Sequence, residues 1–67
     1  MKKRTVLQLY CDFKGWQGGT IHQCFSDFLT LGMADKDRFC NMVFRHGTEN
    51  VVDLETFGNF TKARIGL

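Results

Sequence analysis

The sequence predicts an all-α fold, a compact bundle of about four short helices in a single domain over residues 1–67. Three observations carry this expectation. Thr5-x-x-Gln8 and Thr20-x-x-Gln23 are two capping boxes, in which threonine and glutamine each satisfy an orphan amide at a helix start. Gly15, Gly32, Gly47 and Gly66 fall where a helical stretch needs a residue able to take a positive φ. The chain holds no proline and is 43% apolar, enough for a core, yet no run approaches the roughly 20 apolar residues of a membrane span.

These signals divide the chain into segments 6–15, 21–31, 34–46 and 54–65. In the first, Val6, Leu9, Tyr10 and Phe13 recur at helical spacing, while Leu7, Leu9, Cys11 and Phe13 alternate as a strand would. The capping box favours the helix. The alternative is an α+β chain with a strand over residues 5–13 followed by three helices. Its only candidate partner strand is Asn50 to Asp53, and an isolated strand pair is marginal in water.

The second segment gathers Ile21, Cys24, Phe25, Phe28, Leu29 and Leu31 into an arc of roughly 160°. The third sets Phe39, Cys40, Val43 and Phe44 against Asp37, Arg38, Asn41 and Arg45. Asp53 is suited to cap the fourth, where Leu54, Phe57, Phe60 and Ile65 form a looser stripe. Gly58 interrupts that stripe at a cost of about 1 kcal/mol relative to alanine, unless it permits a close helix approach.

A chain this short buries only about 60% of the surface its unfolded form exposes, so its stability margin is thin. Seven phenylalanines point to dense aromatic packing as the remedy. Self-association into a homodimer would serve the same end. Three cysteines, an odd number, do not fit a secreted disulfide framework, and a reduced cytoplasmic setting is expected. Met1 to Arg4 resembles the start of a signal peptide, but Val6 to Cys11 is too short for its apolar region and Asp12 follows.

His22-x-Cys24, Cys40-x5-His46 and Cys11 could in principle supply zinc ligands, yet no Cys-x2-Cys pair is present. Cys24 and Cys40 lie on apolar stripes, where a free cysteine behaves as a small hydrophobe. The expectation is no metal and no cofactor. A cysteine–histidine pair would need a pocket and a third orienting group, for which a domain of this size has little room. No catalytic residue is therefore assigned, and an enzyme is not expected.

The segment Lys14 to Thr20 carries the densest glycine but lacks the spacing of a nucleotide-binding loop. Its Trp16, the only tryptophan, either folds onto the core as a lid or stands out as an interface anchor. The leading expectation is a small non-enzymatic protein that binds a protein partner stoichiometrically, as adaptor or inhibitor. Its recognition residues would be Lys14, Trp16, Gln17, Arg38 and Arg45. Phages and other mobile elements carry chains of this size class.

The alternative is a small DNA- or RNA-binding regulator. Net charge is only +2, but Lys2, Lys3, Arg4, Lys62 and Arg64 cluster at the two ends of the chain. An up-down bundle with an even number of helices would bring those ends together. A helix-turn-helix built from the second and third segments would lead with Asp35 and Asp37, which repel phosphate. No membrane association is expected.

Overall fold

A computed structural model describes residues 2–66. Four helices follow one another: α1 (Val6–Lys14), α2 (Ile21–Thr30), α3 (Met33–His46) and α4 (Leu54–Gly66), with a single 3-10 turn at Thr48–Asn50. Each bound lies within one residue of the segment read from sequence. Among the described residues there is no strand, and no helix is long and apolar enough to cross a membrane.

Residues 5–13 do not form a strand because their orphan amides are satisfied locally. Thr5 Oγ1 accepts from the Gln8 N–H, and Gln8 Oε1 accepts from the Thr5 N–H; Thr20 and Gln23 repeat the arrangement at α2. What remains of the alternative is one parallel bridge between Arg4 and Val51, just outside α1. There the Arg4 N–H donates to the Asn50 carbonyl, and the Val52 N–H donates to that of Arg4, each at 2.9 Å.

Gly15 ends α1 at φ 74°, and the reversal lets the Trp16 N–H bond back to the Cys11 carbonyl at 2.9 Å. Gly47 ends α3 at φ 101°. Gly32 corrects the sequence reading. It takes φ −68° and precedes α3 as its N-cap, because Leu31 and Gly32 are both extended and need no left-handed turn to join the two helices.

The arrangement also departs from up-down. Asp53, expected to cap the fourth helix, sends its carboxylate across to α1, where Oδ1 accepts from the Val6 N–H at 2.9 Å. Together with the Arg4–Val51 bridge, this starts α1 and α4 at one corner, the corner where α3 ends. α4 then runs antiparallel to α3, with Phe44 on Phe57 at one end and Arg64 on Asp37 at the other. Packing follows a ring, α1–α2–α4–α3, closed by α3 on α1, with α1 and α4 also touching across the middle.

Tyr10, Phe28, Phe39 and Phe60 are fully buried at the centre of that ring. Phe39 is the hub, its ring centroid 5.0 to 5.9 Å from those of Tyr10, Phe13, Phe28 and Phe60. Each such tilted or edge contact adds about 0.5–1.5 kcal/mol beyond the area it buries. The Tyr10 hydroxyl donates to Asp27 Oδ2 at 2.5 Å, so the one polar atom among these four rings is satisfied.

Candidate functional site

The ring leaves two seams on opposite sides, one between α1 and α3 and one between α2 and α4. Their chemistry differs because different side chains face each gap.

On α3, Arg38, Asn41, Met42 and Arg45 share a face by three- and four-residue spacing, and Phe13 of α1 meets them across the seam. The resulting groove has a volume of about 490 Å³. Met42 and Phe13 are half-buried and form its floor, while Arg38 and Arg45 stand exposed above it. Arg38 pairs only with Asp35 one turn earlier, at 3.4 Å, a contact between two well-exposed groups that stabilises little. Arg45 has no ion-pair partner among the described residues. Asp37, the acid at this groove, is bound by Arg64 at 3.0 Å. The seam therefore presents positive charge over an apolar strip.

The second seam, about 480 Å³, is walled by Ile21 and Phe25 of α2 and floored by Phe60. Opposite them α4 sets the short side chains of Thr56, Asn59 and Ala63 beside Phe60, and these leave the gap open. His22 and Lys62 stand exposed at the rim. Periodicity alone assigns Ile21 and Phe25 to the interior and so misses this groove. The signal was the small residues on α4, which the loose apolar stripe of that helix already reflects.

The five residues expected to bind a protein partner divide between two places. Arg38 and Arg45 come together on the α1–α3 seam. Lys14, Trp16 and Gln17 occupy the corner between α1 and α2. Trp16 is not a free-standing anchor: the Gly15 reversal folds it back, and its indole packs edge-on against Tyr10 at 5.5 Å, half-buried. Lys14 Nζ lies 3.6 Å from Asp27, and Gln17 is exposed.

The five basic residues expected to form one patch are separated. Lys2, Lys3 and Arg4 line a groove with Gln8 and His46. Arg64 is bound to Asp37, ten positions before Gly47 and so about 15 Å away along α3. Lys62 sits on the α2–α4 rim. The cause is the pairing of Arg4 with Asn50 and Val52, which holds the N-terminal basic residues at the end of α3. Arg4 is further committed to Asp12 by an ion pair.

The thiols and imidazoles are dispersed. Cys24 and Cys40 are buried in the core. Desolvation, with Cys11 and Asp27 nearby, pushes the Cys24 thiol up to about 11, and burial raises that of Cys40. Both are held as protonated, weakly nucleophilic groups. Cys11 is half-buried and its thiol donates to the Gly18 carbonyl at 3.7 Å. His46 Nε2 lies 3.3 Å from the Asn50 carbonyl oxygen. Among the described residues no three of His, Cys, Asp and Glu come close enough to hold a metal ion.

No family model matches this chain, and searches of curated proteins and of solved structures returned no match either.

Proposed function

We propose that this protein acts without catalysis, by stoichiometric binding of an acidic segment of a partner protein along the α1–α3 seam. The observation that carries this reading is the pair Arg38 and Arg45. They project from one face of α3, two helical turns apart, over the apolar floor of Phe13 and Met42. Arginine beside an aromatic or methionine floor is the composition that protein interfaces enrich. The partner's carboxylates replace water around guanidinium groups that the fold itself leaves uncommitted or weakly paired. As adaptor or inhibitor, the chain contributes a rigid surface whose interior is filled by aromatic rings.

The test is capture of host proteins from nuclease-treated lysate by the wild-type chain and by Arg38→Glu/Arg45→Glu. Loss of the captured protein in the variant, with an unchanged helical circular dichroism spectrum, is the expected result. Equal capture by both chains would rule the seam out. Both arginines are surface residues, so the expected change in folding stability is within about 0.5 kcal/mol.

A second reading rests on the separate groove of Lys2, Lys3, Arg4 and His46, which could contact the phosphates of DNA or RNA. It requires an affinity for duplex or single-stranded oligonucleotides that falls steeply with salt, about one unit of logarithmic slope per phosphate contacted. Substituting Lys2 and Lys3 by glutamine would lower that slope while leaving Arg38 and Arg45 untouched.

A further inference from the structure

The α2–α4 seam combines an apolar floor with a basic rim and has no acidic side chain in its lining. The α1–α3 groove includes Asp37, as does the shallow one beside Met33 and Ile65, and the N-terminal groove has no purely apolar side chain in its lining. Here Ile21, Phe25, Phe60 and Ala63 supply the floor and walls, and Lys62 the charge, with the His22 imidazole at the rim. Lys62 lies in no ion pair among the described residues. Glu55 lies on the same side of α4, two turns before Lys62, and does not line the groove. The first two amides of α2, at Ile21 and His22, also have no acceptor among the described residues, since Thr20 takes only those of Gln23 and Cys24. They add a helix N-terminus to the positive end of the seam.

The size of the seam limits what it can hold. Its volume of about 480 Å³ falls within the roughly 300–1,000 Å³ of small-molecule sites. Its length along α4, from Thr56 to Ala63, is about 10 Å, and it is bounded on both sides by helix. That shape suits one flexible chain.

We propose that the α2–α4 seam binds a single-chain anionic amphiphile of the fatty-carboxylate class. The hydrocarbon lies between Phe25 and Ala63, and the carboxylate meets His22, Lys62 and the open amides at the start of α2. This site lies across the molecule from Arg38 and Arg45, so it stands or falls independently of the protein-binding reading.

The probe is dodecanoate below its micelle-forming concentration, followed by calorimetry and by backbone amide NMR shifts. Saturable binding of one molecule per chain is expected, with shifts concentrated in residues 21–25 and 56–63. Dodecanol, with the same chain and no charge, and butyrate, with the same head and almost no chain, should each bind at least about tenfold more weakly. Lys62→Glu should weaken dodecanoate roughly five- to tenfold, the scale of losing a partly exposed attraction and gaining a repulsion. Ala63→Phe fills the seam from its edge and should abolish binding, with circular dichroism reporting an intact fold for both variants. Non-saturable uptake, dodecanol binding as tightly as dodecanoate, or full affinity in Ala63→Phe would each overturn the proposal. So would a seam that ignores dodecanoate while Ala63→Phe costs capture of a protein, since the groove would then belong to that protein.

Discussion

The two seams lie on opposite sides of one aromatic core, each with basic side chains over an apolar floor, and they differ in the side chains that line them. Between α1 and α3 the lining comes largely from long side chains of α3, and two guanidinium groups stand over Phe13 and Met42. Between α2 and α4 the side chains on one helix are short, so the gap stays open down to Phe60. The lesson is that a small bundle sets the character of its clefts by side-chain length on a single helix. Burial of the central rings is the same on both sides; what differs is how far the flanking residues reach across.

The sharpest way to break this comparison is to remove the floor of the α2–α4 seam. Phe60→Ala should destabilise the domain by about 3–5 kcal/mol, as deletion of a fully buried ring does, and would leave little or no folded protein at this size. Met42→Ala, a half-buried residue of the opposite seam, should cost about 1 kcal/mol. Urea titration of both variants measures the gap between them, and equal losses would mean that the two seams rest on the core in the same way.

A second probe is alkali. The Tyr10 phenol is raised well above its ordinary value of 10, mainly by burial and then by Asp27, and the Cys24 thiol is pushed from 9 to about 11. Both groups keep their protons longer in the folded state than in the unfolded chain. Their contribution is thus complete below pH 9 and declines as pH rises above it. The fall approaches about 1.4 kcal/mol per pH unit for each proton involved. Tyr10→Phe should flatten the part of that decline that begins near pH 10, as thermal denaturation at stepped pH would reveal. Since Tyr10 and Cys24 lie on α1 and α2, this loss reports on the side of the ring that joins the two seams.

The smallest expected effect has the opposite sign. A Cβ added at Gly58 meets nothing within 4 Å, so the residue does not serve a close helix approach. Gly58→Ala should raise stability by about 0.5–1 kcal/mol, read as a higher melting temperature. A loss instead would mean that α4 needs its looseness for the open seam to form.

Much of the fold was legible in the residues themselves. Thr5, Gln8, Thr20 and Gln23 announce two helix starts because capping is local chemistry, settled within four residues. Gly15 and Gly47 announce two helix ends for the same reason. Gly32 was misread because glycine serves a left-handed end and an N-cap equally well, and only the extended Leu31 beside it decides which. The placement of the N-terminal lysines was illegible because it depends on Arg4 finding Asn50 and Val52, a pairing with no local signature. That Arg38 and Arg45, two of the five residues expected to meet a partner, share one face of α3 followed from helical spacing. The α2–α4 groove did not, since a stripe of apolar residues says which way they point and nothing about whether a neighbour is large enough to cover them.

The carboxylate of Asp53 has one further consequence. It completes the amino end of the first helix from a position 47 residues later. A ribosome therefore delivers α1 unfinished, and its proper start must wait until most of the polypeptide has emerged. Such a long-range clasp disfavours stepwise assembly and favours a single concerted collapse. In a chain with so little interior to spare, that tie gives partly made copies no stable resting form.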